Sequence, residues 1–299
     1  QLFINIAYSL TGGSRGGPAK TAILSSLMMG TISGSPVANV VTTGTFTIPL
    51  MKKAGYSSEE ACAVEAVAST GGQIMPPVMG AAAFLVAEYI GIKYGELCVS
   101  AFIPAMLYYI ALFFIIDLLS IKKGLTGLPR EQLPVMKQAV LAGGHLFIPI
   151  AVLIISLVNG FSSMKSVFYS ILVLILIAQT RRETRMTLKN LIEAIQQGIQ
   201  SAVPVAVSCA AAGIIVGIVN LTGLGVKFSS SLISLSNGSI PIALFLTMIA
   251  AIILGCGLPT TAVYIILASL AAPALVQMGV SALAAHLFVF YFGCISTIT

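Results

Sequence analysis

Charge is scarce in this sequence. Of 299 residues only 8% are Asp, Glu, Lys or Arg, while 58% are hydrophobic, and the mean hydropathy is +1.03. Soluble domains carry about 25% charged residues, so too little charge is present to clothe a water-facing surface, and a soluble globular fold is excluded. Aspartate occurs once, as Asp117, and histidine twice, as His145 and His286. That removes the paired-aspartate and HExxH routes to an intramembrane hydrolase. A Ser–Lys pair is no better placed, because every lysine maps near a membrane interface. The five cysteines (Cys62, Cys98, Cys209, Cys256, Cys294) are far apart and form no CxxC; they read as small buried hydrophobes, with no zinc site or disulfide framework. The net charge of +6 comes without the aromatic-plus-basic pattern of a nucleic-acid module. Gly13–Thr21 (GSRGGPAKT) has Ser14 and Ala19 where a phosphate loop needs glycine, and no strand precedes it; it reads as a turn with basic anchors. There is no initiating Met and no signal peptide. Both ends read as cuts through a longer protein.

What remains is a chain whose solvent is lipid. Apolar stretches at 58–91, 96–120, 143–160, 163–180 and 201–222 are each long enough to cross about 30 Å of hydrocarbon at about 1.5 Å per residue. The stretch 58–91 is too long for one crossing and contains Pro76-Pro77, so it reads as a broken helix. Ser57 and Glu60 supply a capping box at its start. Two further stretches, 19–51 and 241–276, are split near their middles by Ile32–Asn39 and Gly255–Thr261. Their arms of about 15 residues reach only about 22 Å. Each is expected to enter and leave on one side, as a re-entrant hairpin whose tip lies in protein or lines a cavity. Polar segments are few: Lys122–Gln138, and Arg181–Arg185. After the second, Leu188, Leu191, Ile192, Ile195 and Ile199 mark one face of a short helix expected at the interface. His145 and His286 near helix starts read as structural. Asp117 reads as a solvated helix end, and Glu59 and Glu60 as first-turn charges. Glu65 and Glu88 lie on apolar helices and are either proton-linked or face the interface or a polar partner.

The chain repeats itself. Gly34-Ser35-Pro36 matches Gly257-Leu258-Pro259, and Pro49 matches Pro273 with one residue of drift. Gly55-Tyr56-Ser57 matches Gly279-Val280-Ser281. Leu10-Thr11-Gly12 matches Leu221-Thr222-Gly223, followed by about a dozen extra residues in the second copy. In this register Pro76-Pro77 falls just past Thr299, so the parent protein is expected to continue with a helix-breaking, proline-bearing stretch. Five crossings between the hairpins put them on opposite faces, which makes the repeats inverted, as in many secondary transporters. The basic residues agree. Arg15, Lys20, Lys52, Lys53, Lys122, Lys123, Arg130, Lys137, Arg181, Arg182, Arg185 and Lys189 fall on one side, against Lys93, Lys165 and Lys227 on the other. The first side is therefore cytoplasmic. The expected organisation is a first transport region at 1–91 (hairpin 19–51, broken helix 58–91), connecting scaffold helices at 92–200, and a second transport region at 201–299 (hairpin 241–276).

The breaks are where chemistry can occur. Ser33–Asn39 places hydroxyls, an amide and loose carbonyls at membrane depth. Ala68–Pro77 adds more, and Pro76 and Pro77 are expected to strip the carbonyls of Gly72 and Gln73 of their helical donors. The second repeat offers Gly255, Gly257, Thr260 and Thr261, with Ser296-Thr297 at its own break. Neutral oxygens of this kind suit a hard monovalent cation such as Na⁺, with no transition metal and no organic cofactor. The half-helix N-termini at the same places attract an anionic substrate group. Small residues also serve close helix packing, but two breaks at matching repeat positions favour a transport site.

The run GGPAKTAILSSLMMGTISGSPVANVVTTGTFTIPLMKKAGYSSEEACAVEAVASTGGQIMPPVMGAAAFLVAE closely resembles the large, DctM-like membrane subunit of TRAP transporters (tripartite ATP-independent periplasmic transporters). It is most similar to the fused-permease type paired with TAXI-type binding proteins. The likeness covers nearly the whole chain and is densest at 16–91 and 241–299. The chain lacks the family's first helices, its final helix and the small four-helix subunit. The resemblance implies an all-α, polytopic, elevator-type permease of the bacterial or archaeal cytoplasmic membrane that is not an enzyme. It implies Na⁺-driven import of small organic acids delivered by a periplasmic binding protein. By motif match, the Na⁺ candidates are Ser33, Ser35, Asn39, Gly71, Gly72, Gln73, Gly257, Thr260, Thr261 and Thr297. The substrate-site candidates are Ser35, Pro36, Asn39, Gln73, Pro259 and Thr260. A binding-protein-independent elevator-type anion transporter or exchanger is the alternative.

Overall fold

Fifteen α-helices and no strand make up the described residues of the computed structural model. It describes residues 2–127, 133–181 and 184–299. Arg130, Arg182 and part of the Lys122–Gln138 segment lie outside the described residues. The helices gather into two compact units, Gln1–Gly80 with Lys93–Met186, and Ala81–Ile92 with Thr187–Thr299.

In the first unit, α2 (Gly17–Ser33) is the centre. It packs against α1 (Leu2–Thr11), α3 (Pro36–Lys53), α4 (Ser58–Gly71) and α6 (Tyr94–Lys122), and ten of its 17 residues are buried. Its Gly, Ala, Ser and Thr positions allow that, because apolar helices in lipid associate by close backbone approach. The turn between α2 and α3 follows from four residues. Gly34 takes the left-handed conformation (φ 58°) and its N–H bonds the Gly30 carbonyl, ending α2. Ser35 accepts the Ala38 N–H and Pro36 occupies the first turn of α3, which starts the next helix at once. The capping box at Ser57 and Glu60 is formed in both directions. Beyond α4 the chain is non-helical from Gly72 to Gly80, with a cis Pro76-Pro77 bond, and helix resumes as α5 (Ala81–Ile90).

Asp117 departs from the expected solvated helix end. Lys20, on α2, is 7% exposed and lies 2.5 Å from the Asp117 carboxylate, with Arg15 at 3.9 Å on the same group. Lys20 also sits over the Phe113 ring. One turn further on, Tyr56 and Ser120 share a hydrogen bond of 2.8 Å. A lysine on a helix made of small residues cannot reach water past its neighbours, so it takes the carboxylate that α6 presents. The same pair removes Lys20 from any phosphate-loop role.

Among the described residues two helices, α6 and α10 (Leu188–Thr222), are long and apolar enough to cross a membrane. Residues 188–199 are not a separate interfacial helix. They are the first turns of α10, which runs on unbroken for 35 residues. Gly198 does not adopt a positive φ, no cap chemistry follows it, and Pro204 is absorbed within the helix. Both helices expose large apolar side chains, among them Ile103, Leu107 and Phe114 on α6 and Val207 and Leu221 on α10, all more than half exposed. Such faces belong against lipid or a partner. The cysteines obey the same geometry. Only Cys294 is buried; Cys62 and Cys256 are exposed, and Cys98 and Cys209 intermediate. An apolar residue on a lipid-soluble helix needs no interior.

The second unit contains α5, α10, α11 (Leu224–Leu235), α12 (Ile240–Gly255), α13 (Thr260–Leu270), α14 (Ala272–Gln277) and α15 (Ala282–Ile295). Leu232, Ala243, Ala274, Leu275 and Ala285 form its buried cluster. The extra residues after Gly223 are α11. The descending arm is interrupted between α13 and α14, where Pro273 enters the first turn of the second piece. His286 is buried and accepts or donates at Nδ1 2.9 Å from the Tyr264 hydroxyl, joining α15 to α13. Helices α4 and α15 correspond closely. Each has 14 residues, each is N-capped by a serine (Ser57, Ser281), and each follows a positive-φ glycine (Gly55, 101°; Gly279, 95°).

Candidate functional site

In the first unit the α2–α3 turn lies against the non-helical segment that follows α4. A Cβ on Gly30 would come within 2.4 Å of the Gly72 Cα, and one on Gly34 within 1.7 Å of the Met79 carbonyl oxygen. Both glycines are therefore required by backbone-to-backbone contact. Asn39 is 1% exposed. Its Nδ2 donates to the Ser26 carbonyl at 2.9 Å, and its Oδ1 accepts from Thr43 at 3.3 Å. The same Nδ2 is what a Gly72 side chain would meet, at 3.4 Å. The structure thus brings Asn39 and Gly72 together. Gln73 is buried in the same segment.

Other predicted residues fall elsewhere. Ser35 is exposed and spends its hydroxyl on the N-cap; Ser33 Oγ donates to the Ser35 carbonyl and accepts the Ser35 N–H, both at 3.4 Å. Pro36 is half-buried at the start of α3. Gly71 faces the rings of Tyr108 and Tyr109 and not the turn; those tyrosines donate to the carbonyls of Val67 and Ala68 at 2.8 and 3.0 Å. The carbonyls of Gly72 and Gln73 are not stripped of donors. They accept from Met75 at 3.4 Å and Gly80 at 2.8 Å, because the chain after α4 closes into turns that replace the missing helical bonds. Each carbonyl keeps a second lone pair.

The second unit has a related junction. A Cβ on Gly255, at the end of α12, would lie 1.9 Å from Ser296 Oγ, in the short 3₁₀ turn Ser296–Ile298 that follows α15. The side chain that meets the α12 end is therefore Ser296, which is buried, and not Thr297, which is exposed and bonds back to the Cys294 carbonyl at 2.8 Å. The reason is helical phase: in a 3₁₀ turn one residue swings the side chain by about 120°. Thr261 is buried on α13 and Thr260 is half-buried. Gly257 (φ 77°) and Pro259 are exposed.

One further buried polar group lies in the first unit, outside the cation and substrate candidates. Glu65, fully buried on α4, receives hydrogen bonds from Ser26 (3.1 Å), Ser69 (3.4 Å), Thr43 and Thr47. Asn39, Thr43 and Thr47 form an i, i+4, i+8 stripe on one face of α3, and that stripe is the signal the sequence carries.

Comparison with known proteins gives a consistent picture. The family model for the tripartite ATP-independent periplasmic transporter, DctM component, matches residues 1–299. The C4-dicarboxylate TRAP transporter large permease protein DctM of Pseudomonas aeruginosa is 28% identical over 130 residues, 44% of this chain and 30% of that protein. Its namesake in Vibrio cholerae is 30% identical over 139 residues, 46% of this chain and 30% of that protein. The isethionate TRAP transporter permease protein DctMQ of Oleidesulfovibrio alaskensis is 30% identical over 129 residues, 43% of this chain and 20% of that protein. The matched regions span less than a third of those relatives' length. By their names these relatives are transport permeases, not enzymes.

Proposed function

Because this chain belongs to the DctM component family of tripartite ATP-independent periplasmic transporters, we propose that it is the membrane permease part of a secondary importer of small organic acids in a bacterial or archaeal cytoplasmic membrane. Relatives named for C4-dicarboxylates and for isethionate support small anions as the substrate class. The coupling ion is Na⁺, a periplasmic binding protein delivers the substrate, and a small four-helix membrane subunit completes the complex, separate or fused as in the DctMQ relative. The transport regions are inverted repeats that move in an elevator-like manner.

The single observation that carries the coupling proposal is the Asn39–Gly72 junction. There a helix turn and a helix break meet backbone to backbone at Gly30 and Gly72, with the Asn39 side-chain amide beside Gly72 and a helix N-terminus at the turn to attract an anion. The Gly255–Ser296 contact is its counterpart. Matching lengths and caps of α4 and α15 support the repeat. No nucleotide site is required, because the ion gradient supplies the energy.

Asn39→Ala and Thr261→Ala test the cation assignment. Each is expected to raise the Na⁺ concentration for half-maximal uptake about tenfold, the equivalent of one lost ligand at about 1.4 kcal/mol, with membrane expression retained. Uptake by both variants with an unchanged Na⁺ response removes these residues from the cation sites. The alternative, an exchanger that works without a binding protein, predicts uptake by vesicles that lack it.

A further inference from the structure

Glu65 is not one of the proposed cation-junction residues, although Ser26 and Thr43 link it to Asn39, and its surroundings are unusual for a carboxylate. Three helices aim four hydroxyls at it: Ser26 from α2, Thr43 and Thr47 from α3, and Ser69 from α4. It is completely buried. Among the described residues no salt bridge reaches it. The charged and titratable groups on the packed elements are engaged elsewhere. On α2, Lys20 is held by Asp117 of α6. On α3, Lys52 and Lys53 lie in the last turn. On α4, Glu59 and Glu60 lie in the first turn, Glu60 paired with Lys123. On α6, Tyr108 and Tyr109 donate to backbone carbonyls of α4. An uncompensated carboxylate in such a place is costly unless its charge can be removed.

The hydroxyls permit that removal. Each has one hydrogen and two lone pairs. With Glu65 ionised, all four hydrogens point at its oxygens. With Glu65 protonated, its own O–H donates to Thr47 Oγ1, and the Thr47 hydrogen turns to the Thr43 carbonyl, 3.0 Å away. Thr43 has the same option towards the Asn39 carbonyl at 2.8 Å, and Ser26 towards Thr43 Oγ1 at 3.3 Å. Both states are hydrogen-bonded through hydroxyl rotation alone. A metal cation fits less well, because these oxygens touch one another directly and do not surround an open centre.

We infer that Glu65 is a reversible proton-binding site within the α2–α3–α4 bundle, additional to the proposed Na⁺ junctions and linked to the first of them through Ser26 and Thr43, which also bond Asn39. The bond formed is O–H on the Glu65 carboxyl; the proton comes from and returns to water, and no other bond changes.

The test is infrared difference spectroscopy on the full-length permease complex in lipid, titrated from about pH 4 to about pH 10 without substrate. A protonated-carboxyl band is expected to grow as pH falls, to shift in D₂O, and to be absent in Glu65→Gln. Thr47→Val is expected to keep the band but move its frequency, because one hydrogen-bond partner is gone. The inference is overturned if the wild-type and Glu65→Gln spectra are identical across the range. Should Glu65→Gln fail to fold, a pH-dependent band that neither Thr47→Val nor Ser26→Ala moves also overturns it. Neither result bears on whether the complex imports an organic acid, which uptake measures separately.

Discussion

Gly34→Ala is expected to destroy the junction between the α2–α3 turn and the segment after α4. The added Cβ would lie 1.7 Å from the Met79 carbonyl oxygen, a backbone atom that no rotamer change can move. The left-handed conformation of Gly34 (φ 58°) adds about 1–2 kcal/mol for any residue with a Cβ. Together the strain and clash exceed about 4 kcal/mol, at the top of the range for single substitutions. Gly124→Ala is the control. Gly124 has a similar φ of 65° but open space around the Cβ position, so only the conformational cost applies. Thermal unfolding of the detergent-solubilised parent protein should show a large loss for Gly34→Ala and a small one for Gly124→Ala. Equal losses would mean that the turn does not rest on Met79.

Glu65→Ala is expected to cost about 3 kcal/mol in the same measurement. The cavity left by the carboxylate contributes part. The four hydroxyls that lose the Glu65 carboxylate as acceptor contribute the rest. Glu65→Gln should cost only about 1 kcal/mol, because its amide oxygen keeps the acceptor side and its NH₂ donates to Thr47. A glutamine variant as unstable as the alanine variant would show that the negative charge itself holds the three helices together.

How legible was this in the sequence? Features set by neighbouring residues could be read directly. Gly34-Ser35-Pro36 carries the end of one helix and the start of the next, and Ser57 with Glu60 builds its capping box within four residues. Pro76-Pro77 marked the non-helical segment after α4. Features made by distant residues could not be read. Asp117 meets Lys20 across 97 positions, and the Glu65 cluster needs three helices to converge. The donors that satisfy Gly72 and Gln73 come from turns rather than helical spacing. Helix α10 reads as two pieces in sequence because an amphipathic face at 188–199 gives way to an apolar stretch at 201–222, yet the backbone runs on as one helix. Thr297 comes from the motif match alone, whereas the backbone places the neighbouring Ser296 against Gly255.

The central claim is that this chain forms the ion-coupled permease part of an organic-acid importer. Vesicles carrying the full-length parent protein and its small subunit test it most directly. Uptake would be measured for small anions, including succinate and isethionate, with and without the purified periplasmic binding protein and with and without an inward Na⁺ gradient. The account predicts accumulation of an organic acid only when binding protein and gradient are both present. Uptake that is indifferent to both would contradict it.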